Sequence, residues 1–159
     1  MANYSTIFLI VLFVAAVVGF ILFKGKQDYE ISKIEINGKV FEVEIADTIL
    51  KKTKGLSGRK CLKNDEGICP ESAEGMLFLF SSPSKRSFWM KDMKFALDII
   101  WINNDRIVDI SKNVPSPKGG ESPSVVSPSE VADKVLEMAA GSAEKFGIKI
   151  GDRLLKTLK

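Results

Sequence analysis

The sequence predicts a mostly β, α+β domain, in which a small antiparallel sheet carries one or two short helices, preceded by one N-terminal transmembrane helix. Three observations carry this prediction. Residues 7–23 (IFLIVLFVAAVVGFILF) hold no charged side chain. From Ile31 onward, short runs of alternating or continuous hydrophobicity recur between turn signals such as Asn-Gly and Asn-Asn-Asp. Within the part after the apolar run, helix signals are short, near residues 48–55 and 142–147, with 129–140 open to either reading. With 159 residues, 45% of them hydrophobic, the chain has room for one modest globular domain.

The order of elements follows. Residues 1–6 are a tail, and residues 7–23 span about 26 Å as a helix, close to the roughly 30 Å hydrocarbon core once Tyr4, Ser5 and Thr6 are added. A cleaved signal peptide would begin with basic residues and end at a small-x-small site. Here no Lys or Arg occurs before Lys24, and Phe20 to Phe23 occupy the site's place, so an uncleaved single-pass anchor is expected. Residues 24–30 (KGKQDYE) form a short linker, and the soluble domain runs from 31 to 159. Ile31, Ile34 and Ile36, then Asn37-Gly38, then Val40 or Phe41, Val43 and Ile45, read as a hairpin over 31–46, because both central residues of a type I′ turn need positive φ. Asp47 or Thr48 caps a short helix through TILKKTKGL that ends near Gly55. GMLFLF at 75–80 reads as a strand buried on both faces. RSFWMK at 86–91, LDIIWIN at 97–103 and, across Asn103-Asn104-Asp105, RIVDISKN at 106–113 are further strands. The four prolines, two glycines and five serines of residues 114–129 make a long loop. DKVLEMA reads as a strand, with one helix from Ser129 to Ala140 as the alternative. A helix after Gly141-Ser142 and a last strand after Gly151-Asp152 close the chain.

Charge and cysteine usage bound the setting. Of the 23 basic residues, Lys24 and Lys26 flank the apolar run, which leaves 21 against 20 acidic ones. So near a neutral balance lacks the clustered basic face that nucleic acid requires, and no nucleic-acid partner is expected. The two flanking lysines alone would keep the domain in the cytoplasm. Cys61 and Cys69 point the other way: they sit at the ends of a polar loop, RKCLKNDEGICPES, and a disulfide closing it would persist in an oxidising compartment. The alternative is a pair of reduced thiols in a cytosolic loop. The expected location is therefore the membrane, with the domain on the extracytoplasmic side.

The chemistry is bounded by what is missing. Without histidine, Ser-His-Asp and Cys-His catalysis are excluded, and two thiolates alone do not complete a tetrahedral zinc site. SPKGGES lacks the spacing of a phosphate or dinucleotide loop, so no metal and no cofactor are expected. What draws attention is RSFWMKDMKFALDIIWI, residues 86–102. Strand alternation places Phe88 and Met90 on one face and Trp89 and Lys91 on the other, then Leu97, Ile99 and Trp101 opposite Asp98, Ile100 and Ile102. Asp98, alone among isoleucines, needs a partner, for which Lys91, Lys94 and Arg59 are the candidates. One reading is a structural ion pair at the turn KDMKFA. The sharper one is a pocket in which Trp89 is an apolar wall and Arg59, Lys91, Asp92 and Asp98 supply polar groups, as small-ligand sites do.

The ordered blocks GLSGR (55–59), EGMLFLF (74–80), FWMKDM (88–93), LDIIWI (97–102), IVDI (107–110), VLEMAAG (135–141) and GIKIGD (147–152) resemble the domain of unknown function 192 family over about residues 31–157. The resemblance implies a mostly antiparallel sheet curled into a barrel-like form, often following a signal peptide or membrane anchor, and no established activity. The cysteine-bearing insertion and the Ser/Pro-rich loop depart from the family pattern. Two function classes remain, an enzyme being the less favoured. The first is a membrane-anchored module that binds a small polar or glycan-like ligand or an envelope partner. The second is a carboxylate-based hydrolase of an envelope substrate, with Asp92, Asp98 and Arg59, whose carboxyls would have to lie within about 5–10 Å. A structural, self-associating envelope domain is a third reading.

Overall fold

The computed structural model describes residues 29–63, 69 and 72–156. The anchor at 7–23 and residues 24–28 of the linker fall outside them, and no helix among the described residues is long and apolar enough to cross a membrane. The elements are β1 (Glu30–Ile36), β2 (Lys39–Ala46), α1 (Ile49–Lys54), β3 (Gly75–Ser84), β4 (Phe88–Trp89), β5 (Leu97–Asn103), β6 (Arg106–Val114), β7 (Val125–Val126), β8 (Ala132–Ala139), α2 (Ser142–Lys145) and β9 (Leu154–Lys156). Seven strands form one sheet in the order β6-β5-β8-β3-β2-β1-β9, antiparallel except for β2 and β3, while β4 and β7 form a separate ribbon. The two edges of the sheet approach each other: Arg106 bridges to Arg153, and Leu154 N–H donates to the Asp105 carbonyl at 2.7 Å. The sheet is thus a curled half-barrel.

Local chemistry sets most boundaries. Asn37 and Gly38 take φ of 54° and 77°, so the β1–β2 hairpin has the I′ turn that its dipeptide favours. Thr48 caps α1 by accepting from Lys51 N–H at 3.3 Å, and Gly55, at φ 47°, ends it. Residues 132–139 are a strand and not part of a 129–140 helix: flanked by β3 and β5, they satisfy their backbone on both sides and bury Val135 to Met138, which a propensity for helix cannot match.

Alternation gives the sheet two apolar faces. Inside the curl, Ile34, Ile36, Phe41, Val43, Leu77, Ile100, Ile102, Leu136 and Leu154 form one core. On the outside, Met76, Phe78, Leu97, Ile99, Trp101 and Val135 form another, covered by Leu56, Leu62, Met90 and Met93 from loops. The second core exists because β2 and β3 are parallel neighbours. Such a pair needs a crossover, and residues 47–74 make it, carrying α1, Arg59 and the cysteine loop.

Two expectations are corrected. The 86–91 segment is not a strand of the main sheet. Only Phe88 and Trp89 pair, with Val126 and Val125 of the Ser/Pro-rich stretch, and Asp92 at φ 59° turns the chain away. That stretch is accordingly not loop throughout. Its prolines lack the N–H donors that longer pairing would use. The second correction concerns Asp98, which is 1% exposed and meets no cation among the described residues. Its carboxylate accepts from Asn113 N–H and Ala143 N–H, both at 2.8 Å, and so fastens α2 to the inner face of β5. Backbone amides near a helix start satisfy a carboxylate as well as an ion pair would, without burying a second charge. Replacing Asp98 by alanine is expected to cost about 2–4 kcal/mol, since two amides lose their acceptor. Urea unfolding reads the loss, and a cost below about 0.5 kcal/mol would contradict the role.

Candidate functional site

The row of residues that begins the site is set by strand register. Glu44 on β2 stands beside Met76 on β3, and Met76 beside Glu137 on β8. All three point to the outer face, opposite Val43, Leu77 and Leu136. Two strand spacings separate the carboxyls, about 10 Å at the backbone. The crossover then lays Arg59 over this row. Its guanidinium meets Glu44 end-on, Nη1 to Oε1 at 2.6 Å and Nη2 to Oε2 at 2.5 Å, and its central carbon lies 5.2 Å from the centre of the Tyr29 ring. Burial works against the charge on Arg59, yet the hydrogen bonds and charge of Glu44 outweigh it and raise its pKa. Burial raises the Tyr29 hydroxyl pKa in turn, with Arg59 pulling it down. Glu137, 6% exposed, has no hydrogen-bond partner among the described residues, and burial pushes its pKa up to about 8 against the pull of Arg59. At neutral pH this carboxyl is largely protonated.

A second segment forms the opposite wall. Phe88 inserts edge-on among Phe78 at 5.0 Å, Phe80 at 6.4 Å and Trp101 at 5.4 Å, and Met90 is buried. With its two neighbours pinned inward, Trp89 must point outward, and it is 54% exposed. Lys91 stands with its ammonium 5.2 Å from the Trp89 ring. Two hydrogen bonds to backbone carbonyls join the walls: Ser57 Oγ donates to the Lys91 carbonyl and Gly58 N–H to the Asp92 carbonyl, both at 2.9 Å.

Between the walls lies an open cleft of about 1180 Å³, bordered by Tyr29, Glu44, Arg59, Trp89, Lys91 and Asp92 among others. Cys61 and Cys69, joined as a disulfide, form part of its edge. A narrow slot of about 30 Å³, between Gly55–Ser57 and Phe88–Trp89, reaches Glu137. Of the five residues expected to line a pocket, the structure brings Arg59, Trp89, Lys91 and Asp92 to this cleft and leaves Asp98 on the other face of the sheet. The Asp92–Asp98 pair that a hydrolase would require is therefore not assembled. No group of three or more His, Cys, Asp or Glu residues among the described ones could hold a metal ion.

Sequence reasoning missed Tyr29, Glu44 and Glu137. The alternation Phe41-Glu42-Val43-Glu44-Ile45 held a signal, because it places two carboxylates opposite an apolar face. Nothing in the pattern told that β2 would meet β3 in parallel and so align Glu44 with Glu137.

The family model DUF192, described as "Uncharacterized ACR", matches residues 32–155. Two crystal structures are similar, each with a TM-score of 0.67. One is a protein of unknown function from Novosphingobium aromaticivorans DSM 12444, 32% identical, with 82% of this chain and 88% of that chain covered. The other, from Sinorhizobium meliloti 1021 and described as a candidate transcription regulator, is 26% identical, with 83% of this chain and 98% of that chain covered. No curated protein matches.

Proposed function

Because this chain belongs to the domain of unknown function 192 family, which supplies a fold and no reaction, we propose a function from the cleft itself: a membrane-anchored, extracytoplasmic module that binds a small polar, glycan-like ligand or an envelope partner. One observation carries the reading. An exposed indole, its neighbours Phe88 and Met90 packed into the outer core, stands with the Lys91 ammonium on one wall of a cleft whose other wall carries the Arg59–Glu44 guanidinium–carboxylate pair. A flat apolar face beside fixed hydrogen-bonding groups is what a ring bearing hydroxyls needs. The apolar run 7–23 supports the anchor, and the Cys61–Cys69 bridge supports an oxidising compartment.

The test is a thermal-shift screen with glucose, N-acetylglucosamine, glucuronate and muropeptide fragments. At a ligand concentration about one hundred times Kd, binding stabilises by about 2.7 kcal/mol, a rise of several degrees. We expect at least one compound to give it and Trp89→Ala to abolish it. Stabilisation by none, or stabilisation indifferent to Trp89, would remove the proposal.

A further inference from the structure

The rim of the cleft leaves large apolar side chains uncovered. α1 buries none of its residues, and Ile49 and Leu50 in its first turn are 82% and 73% exposed. Leu50, Ile31 and Trp89 border the same cleft, Ile49 adjoins Leu50, and Val125, also exposed, is the cross-strand partner of Trp89. Three exposed apolar residues thus border one cleft and two more adjoin them, where a solitary one would need no account. Lys54, Lys60 and Lys91 stand exposed among them, while among the described residues the carboxylates nearby are Asp92, Glu44, which is held by Arg59, and Asp47, which pairs with Lys51 at 3.2 Å.

The chain's own path says what lies opposite. Tyr29 borders the cleft, and the apolar run ends at Phe23. The five residues between them give six Cα–Cα steps, which reach at most about 22 Å even when fully extended. If residues 7–23 cross a bilayer, the cleft side of the domain is tethered at the bilayer surface. Aromatic and aliphatic side chains ringed by lysines suit the boundary between headgroups and acyl chains.

We propose that this rim docks on the headgroup layer of the anionic bilayer that holds the anchor, with Ile49, Leu50 and Trp89 at the acyl boundary and Lys54, Lys60 and Lys91 among the phosphates. The inference rests on the anchored reading and, because Trp89 belongs both to the rim and to the cleft wall, it restricts the cleft to ligands that reach it at the membrane surface. The cleft would then open toward the membrane plane.

The full chain is reconstituted in vesicles of phosphatidylcholine with about one third phosphatidylglycerol, a content chosen to give an anionic surface. The readout is quenching of tryptophan by acyl-brominated lipid. Trp101 is buried in the domain and provides a constant background, so the difference between the parent and Trp89→Phe is the Trp89 signal. Docking at a depth of about 5–10 Å should cut the Trp89 signal about twofold, and Ile49→Ser with Leu50→Ser should restore it. A chain that co-floats with the vesicles after an alkaline wash, yet shows no quenching, would overturn the docking and leave the anchor standing. A chain that does not co-float would overturn both. An unquenched Trp89 together with a doubled mass in detergent would assign the rim to a second copy, and would equally overturn docking on lipid.

Discussion

Replacing Arg59 by methionine is expected to lower the stability of the domain by about 2–4 kcal/mol, or very roughly 10 °C in Tm. The estimate follows from what the substitution leaves behind. Glu44 is 7% exposed, and both its oxygens are held by the guanidinium at 2.5–2.6 Å. Methionine replaces the aliphatic stem but supplies no donors, so a carboxylate remains in an apolar setting beside Met76 and within electrostatic reach of Tyr29. The value sits below that of a fully buried pair because the Arg59 side chain is 23% exposed, which gives water some access. The double variant Arg59→Met/Glu44→Leu should recover most of the loss, since the buried charge then disappears with its partner. Lys91→Met, at an exposed position on the opposite wall, should change stability by less than about 0.5 kcal/mol. Urea unfolding of the four proteins forms the comparison. An Arg59→Met variant as stable as the parent would show that Arg59 does not hold the outer core together.

A second large effect belongs to Glu137. Its folded pKa of about 8 stands against an ordinary value of 4.5, so between these pH values the folded state holds more protons than the unfolded state. Stability then falls as pH rises through that window. The contribution is fully present below about pH 4.5 and lost above about pH 8, and at 1.36 kcal/mol per unit it amounts to at most about 5 kcal/mol. Glu137→Gln keeps the shape of the protonated carboxyl and cannot ionise. It should match the parent near pH 4 and exceed its stability by several kcal/mol at pH 9. The groups facing Glu137 are Arg59 from the crossover, whose charge lowers its pKa, and Lys52 and Lys54 at the slot. In Arg59→Met the loss of that pull should move the decline to higher pH. Unfolding at stepped pH decides the matter, and parallel curves for parent and Glu137→Gln would contradict it.

The sheet's local parts were legible in the sequence, and its long-range joins were not. Asn37-Gly38, the Thr48 cap and Gly55 each specify their own backbone geometry, so hairpin and helix could be placed to within a residue or so. The alternation of 97–102 correctly separated Leu97, Ile99 and Trp101 from Asp98, Ile100 and Ile102, because side-chain direction in a strand is a property of the strand alone. Asp98 was misjudged for the opposite reason: its partners are amides at residues 113 and 143, and backbone donors leave no mark in a sequence. RSFWMK looked like any core strand, and only the competition of β8 for the flanks of β3 and β5 shows why it was displaced to a ribbon. The site was half legible. Trp89, Lys91, Asp92 and Arg59 stood out by their neighbours, whereas Glu44 and Glu137 converge through register across three strands.

That Arg59, Trp89, Lys91 and Asp92 border a working ligand site is tested most directly by amide and indole shifts in the nuclear magnetic resonance spectrum during titration with the same saccharides and muropeptide fragments. The account predicts saturable shifts at Gly55, Ser57, Gly58, Arg59 and Lys91 and at the Trp89 indole, with the amides of Asn113 and Ala143 on the inner face unmoved. Shifts confined to the inner face or to β9, or none with any of these compounds, would contradict it.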